Sequence, residues 1–158
     1  MIQKTEHKYL RRCVELAREA LAAGDEPFGS VLVDAKGNIR AEDRNRVAGG
    51  DETRHPEFEL ARWAAAHMTP AERAGATVYT SGEHCPMCAA AHGWVGLGRI
   101  VYAVSSKQLR AWLAEIGIAP PAVRPFPASE IAPHVTVEGP VEEFIAEMHA
   151  LHLSAHGK

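Results

Sequence analysis

Two short segments about thirty residues apart limit what this chain can become: His55-Pro56-Glu57 and Cys85-Pro86-Met87-Cys88. In each, a proline follows the first metal-binding type of side chain, and proline is tolerated in a helix only within its first turn. Both fragments therefore read as helix beginnings, and a fold that unites them must aim two helix N-termini at one point. Together they supply three metal ligands, one imidazole and two thiolates, with a carboxylate to spare. A structural zinc site closes its tetrahedron with four protein ligands, whereas a catalytic one leaves a position to water. The surplus Glu57 thus points to a hydrolytic centre built on His55, Cys85 and Cys88 with one zinc ion per chain.

The rest of the chain can house such a centre. At 158 residues, 46% hydrophobic and 23% charged, it has apolar material for a single globular domain spanning 1–158. A formal net charge of -3 gives no electrostatic footprint for nucleic acid, which is expected not to be a partner. Met1 to Leu10 is polar, and no apolar run approaches the roughly 18 residues of a membrane span, so the expected location is cytoplasmic, without membrane association. Three cysteines, two of them at ligand spacing, make no disulfide framework, and Cys13 reads as a small core residue.

Periodicity orders the elements. Tyr9, Val14, Leu16, Ala17 and Leu21 mark a first helix over 5–22, ended by Gly24. Ser30 to Asp34 and Ile39 to Arg46 flank turn residues Ala35-Lys36-Gly37-Asn38 and read as an antiparallel hairpin. Helical spacing resumes from Arg54 to about His67, with Thr53 as the expected N-cap. Thr77 to Ser81 and Ile100 to Val104 read as strands around a helix from Pro86 to about Val95, followed by a helix over 107–116. The proline-rich stretch from Pro120 to Pro133 reads as an irregular loop, His134 to Glu138 as a short strand and Val141 to about Ser154 as a closing amphipathic helix. Strand, helix, strand at this spacing implies a partly parallel sheet. The expected fold class is therefore a three-layer α/β/α sandwich around a mixed sheet of about five strands.

On those elements the ligands acquire a chemistry. A helix N-terminus favours the thiolate that zinc requires. Positions i and i+2 do not share a helix face, so His55 and Glu57 can meet only where the helix tip itself abuts the metal. Zinc lowers the pKa of a bound water to about 7, and Glu57 is then placed to move protons as base and acid in turn.

H-x-E followed by C-x-x-C resembles the signature of the cytidine deaminase-like superfamily of zinc nucleobase and nucleoside deaminases. Pro27-Phe28-Gly29-Ser30-Val31 and Asp51-Glu52-Thr53-Arg54-His55 are similar to further motifs of that family, and the resemblance runs from about Lys8 to Tyr102. It implies that Asn45 hydrogen-bonds the base and that Phe28 lines the pocket. Histidine as first ligand is similar to the branch of cytosine, guanine, deoxycytidylate and tRNA adenosine deaminases. Two departures stand out. His84 occupies the place of the usual proline before the first cysteine, where it is read as a substrate contact, with a further metal ligand or a plain loop residue as alternatives. After Glu115-Ile116-Gly117 comes Ile118-Ala119-Pro120, without the acidic residues that guanine deaminases tend to carry there.

Blander readings complete the inventory. His149, His152 and His156 read as a solvated face of the last helix, and Glu142, Glu143 and Glu147 as its solvent side, with one of them an alternative second proton carrier. Phe126 is a candidate lid, and Gly96 with Gly98 lacks the context of a phosphate loop. The expected function is hydrolytic deamination of a free nucleobase or small aminated heterocycle such as guanine, a modified purine, cytosine or an analogue. A tRNA adenosine deaminase is the first alternative, and a non-catalytic zinc-stabilised module with His84 or His92 as fourth ligand the second. The resemblance further implies a homodimer, with exchange of the segment after Pro140 as one form of it.

Overall fold

Helix α1 (His7–Ala22) buries Tyr9, Leu10, Cys13, Val14, Leu16, Ala17 and Ala20, a stripe at three- and four-residue spacing, after a single 3-10 turn over Lys4–Glu6. The computed structural model describes residues 1–158. Strand β1 (Gly29–Val33) lies directly beneath α1, and a Cβ at Gly29 would stand 2.4 Å from both the Cys13 carbonyl oxygen and the Leu16 Cβ. Only glycine allows the helix to seat that close. Strand β2 (Ile39–Arg44) returns antiparallel to β1 across a turn in which the Asp34 carboxylate accepts from the Lys36 and Asn38 amides.

The remaining elements are α2 (Pro56–His67), α3 (Pro70–Ala74), β3 (Thr77–Gly82), α4 (Pro86–Trp94), β4 (Arg99–Val104), α5 (Ser106–Glu115), α6 (Ala128–Ile131), β5 (Val137–Glu138) and α7 (Glu142–Ser154). The sheet order is β2-β1-β3-β4-β5, with β1 antiparallel to both neighbours and β3, β4 and β5 parallel. Parallel pairing of β3 with β4 follows from the helix α4 that joins them.

Strand alternation divides the interior between two faces. Val31, Val33, Tyr79, Val101 and Ala103 pack on α1 and on Phe144, Met148 and Leu151 of α7. Leu32 and Val78 pack on Leu60, Ala61 and Ala64 of α2, with Leu97 beside them. Strand β1 is buried along its whole length because helices cover both sides of it. The result is the expected α/β/α sandwich with a five-stranded mixed sheet. Ser30 and Thr80 are direct cross-strand partners on the α2 side, both fully buried.

Several local expectations are corrected. Helix α2 begins at Pro56, and its N-cap is His55, not Thr53. Proline pushes the residue before it into extended backbone, and His55 accordingly sits at φ -90 and ψ 140. The Thr53 hydroxyl instead donates to Asp51. The proline-rich stretch contains the one-turn helix α6, the last strand is only Val137–Glu138, and α3 is an additional helix opened by a Thr69–Glu72 capping box.

Candidate active site

Two extended N-cap residues carry the first ligands. His55 caps α2, Cys85 caps α4 at φ -68 and ψ 167, and Cys88 follows on the first turn of α4. Cys85 Sγ lies 3.5 Å and Cys88 Sγ 3.6 Å from His55 Nδ1, and the three donor atoms all fall within 4.8 Å of one another. Tetrahedral zinc, with Zn–S near 2.3 Å and Zn–N near 2.0–2.1 Å, requires a sulfur–nitrogen separation of about 3.6 Å. The donor set fits zinc in both chemistry and spacing, with His55 offering Nδ1.

Glu57 lies one residue inside α2 and is 6% exposed. Because His55 stands outside the helix in extended backbone, the two side chains reach one centre despite their i, i+2 spacing. The Ser30 hydroxyl donates to Glu57 Oε1 at 3.0 Å, and the Thr80 hydroxyl lies 2.8 Å from the same oxygen. Oε2 has no hydroxyl partner, and the Cys88 thiol makes a further hydrogen bond to the carboxylate. Burial pushes the Glu57 carboxyl above the usual carboxylate range, opposed by the nearby His55 and the Thr80 hydroxyl.

The ligands polarise one another. A hydrogen bond from Cys88, opposed by burial and supported by His55, brings the Cys85 thiol down to about 4. The same shared hydrogen bond and burial hold the Cys88 thiol well above its ordinary value. His55 rises to about 9, chiefly through its hydrogen bond to Cys85 and against burial. Zinc binding therefore releases protons from His55 and Cys88, as deprotonated ligands require.

Asn45 follows the end of β2 and is 1% exposed. Its Oδ1 accepts from the amides of Glu26 and Val47, which leaves Nδ2 as its outward donor. Phe28 lies against Gly82, where a Cβ would approach its ring to 3.1 Å, and its ring meets His152 at 5.0 Å between centroids.

His84, expected as a substrate contact, lies beside the ligand Cys85 at the start of α4. It is fully buried, and its ring meets His92 edge-to-face at 5.3 Å. The metal cluster comprises His55, Cys85 and Cys88, so neither His84 nor His92 supplies the fourth ligand of a closed structural site. His92 instead lies 2.6 Å from the Gly98 carbonyl. The solvated face expected for α7 is also corrected, since His152 is 4% exposed and His149 stacks on Trp112. Glu147 pairs with Arg11 and Arg18 and Glu143 with His7, all on the α1 side, so these two have structural partners away from the metal ligands. Phe126 is 44% exposed rather than folded over a pocket.

Ser30 and Thr80 escaped the sequence reading as Glu57 partners. Ser30 is the one hydroxyl in β1, but Thr80 is one of several in β3 and so did not stand out. His152 escaped because its spacing matched a solvated face as well as a buried one.

A three-ligand zinc cluster at converging helix tips, with a spare buried carboxylate, defines a zinc-dependent hydrolase of the α/β/α class. The chain belongs to the family described as the cytidine and deoxycytidylate deaminase zinc-binding region, whose model matches residues 3–104. It is 33% identical over 113 residues to a probable cytosine deaminase of Schizosaccharomyces pombe, covering 72% of this chain and 68% of that protein. It is 38% identical over 97 residues to a guanine deaminase of Bacillus subtilis, covering 60% of this chain and 62% of the relative. The fold is that of the solved guanine deaminase from Nitrosomonas europaea, with a TM-score of 0.74, 21% identity, and coverage of 100% of this chain and 88% of the other.

Proposed function

We propose that the chain hydrolyses the exocyclic C–N bond of a free nucleobase or related small aminated heterocycle and releases ammonia. The observation that carries this is Glu57, a buried carboxylate beside a complete three-ligand zinc set, held by Ser30 and Thr80 through one oxygen. Zinc, when bound, supplies a water of lowered pKa at this point.

Glu57 then takes a proton from the attacking water as its oxygen adds to the amine-bearing carbon. The carboxylic acid so formed gives the proton to the adjacent ring nitrogen. A second transfer through Glu57 protonates the amine nitrogen, the C–N bond breaks, and ammonia leaves a carbonyl behind. The raised proton affinity that burial gives Glu57 suits a group that must hold a proton as well as release it. Asn45 donates through Nδ2 to the base and Phe28 forms the wall on which it lies. The cytosine and guanine deaminase relatives support a free base as substrate.

The test is an ammonia-release screen of zinc-loaded protein over purine, pyrimidine and triazine bases and their nucleosides. Turnover of at least one free base is expected. Deamination of a tRNA anticodon stem with none of any free base would overturn the reading in favour of a tRNA adenosine deaminase.

A further inference from the structure

A concavity of about 320 Å³ opens between the loop at 24–28, helix α5, residues 118–121 and the last turns of α7. His152 on α7 lines it and is its deeply buried polar side chain. The imidazole is held by Phe28 at 5.0 Å and Trp112 at 6.5 Å between ring centroids. Those neighbours fix its plane without offering a hydrogen bond. His84 and His92 have ring nitrogens sealed in packing, whereas those of His152 are not sealed and the residue lines the concavity. Its ring nitrogens, which bond no other protein group, are thus open to whatever enters the concavity.

Phe28 connects this concavity to the metal centre. Its ring packs on Gly82, three residues before the ligand Cys85, and also meets His152. A heterocycle that enters this concavity therefore has Phe28 and His152 together along its wall. Leu113 and Ile118 supply the apolar lining there, and Arg110 and His156 the rim.

We infer that His152 recognises the edge of the substrate remote from the amine, and that the concavity selects a bicyclic, purine-type heterocycle over a single ring. This rests on the deaminase reading above. Burial holds the His152 ring down to about 4, so it is neutral at pH 7 and presents one nitrogen as donor and one as acceptor. A ring nitrogen of the second ring, or its N–H, matches either one.

Equilibrium binding to the zinc-loaded Glu57→Gln protein, which isolates binding from turnover, tests this with 2,6-diaminopurine and cytosine as probes. The bicyclic probe is expected to bind at least tenfold tighter than cytosine. Adding His152→Leu should weaken 2,6-diaminopurine about tenfold or more and cytosine less than threefold, at unchanged zinc content. His152→Gln, which retains a hydrogen-bonding atom, should recover part of the loss and serves alone if the leucine variant does not fold. Equal weakening of both probes, no weakening of either, or no binding of either would overturn the inference. Selective binding without ammonia release by the wild-type protein would leave His152 in place and remove the deaminase reading.

Discussion

Two carboxylates at opposite ends of β3 have been pushed in opposite directions by their surroundings. At the ligand end, Glu57 is buried with two hydroxyls on one oxygen and has its proton affinity raised. At the other end, burial also pushes Glu6 up, but Arg99, the Gln3 amide and the Tyr79 hydroxyl outweigh it and hold Glu6 at about 2. Arg99 is shared with Glu138, so that end is a closed ion network. The contrast separates a carboxylate of raised proton affinity, fit to exchange protons, from one whose charge is matched by cations, fit only to hold structure.

Breaking the first carboxylate should have the largest effect. Glu57→Gln is expected to retain zinc and fold while lowering ammonia release about 10²-fold or more, the scale of an acid/base group. Cys85→Ala should abolish zinc retention, measured as metal per chain after dialysis. Full metal content in that variant would contradict the ligand assignment. Ser30→Ala with Thr80→Val leaves Glu57 in place without its two hydroxyls. A fall in kcat of about tenfold with little change in KM is expected, because a misaimed proton carrier costs about 1.4 kcal/mol per factor of ten. A change confined to KM would show that the hydroxyls bind substrate rather than position Glu57.

The opposite end should respond in stability alone. Glu6→Gln is expected to lower unfolding free energy by about 1 kcal/mol after allowance for solvent screening, with turnover unchanged below the melting temperature. Its pH dependence has a definite sign. The Glu6 carboxyl has an ordinary value of 4.5 and is lowered to about 2 in the fold, so its contribution is complete above about 4.5 and fades as pH falls toward 2. The Glu6→Gln variant should therefore show a shallower acid limb in that window, read by thermal melts across pH. An identical acid limb would mean that Glu6 is not the residue responsible.

How much of this was legible beforehand depended on the range of the interaction. His55, Glu57, Cys85 and Cys88 were readable because ligand spacing and the prolines after His55 and Cys85 are local facts. The two strands around α4 were equally legible from short apolar runs. Thr53 was misread as a cap because a threonine hydroxyl can accept from a helix amide or donate elsewhere, and here it donates to Asp51. The partnership of Ser30 and Thr80 depends on strand register across 50 residues, which periodicity does not set. His84 looked available beside a ligand, yet its exposure is decided by α4 packing back over it through His92. His152 was the reverse case, a residue near the end of the chain that α5 and the Phe28 loop enclose.

The most direct test of the division between the two ends is a single assay pair. Wild-type, Glu57→Gln and Glu6→Gln proteins, each with zinc content determined, are compared for ammonia release from the best base in the screen. Full zinc in all three, a loss of about 10²-fold or more in Glu57→Gln and wild-type turnover in Glu6→Gln are the predicted results. Wild-type turnover in a zinc-loaded Glu57→Gln protein would contradict the role given to that carboxylate.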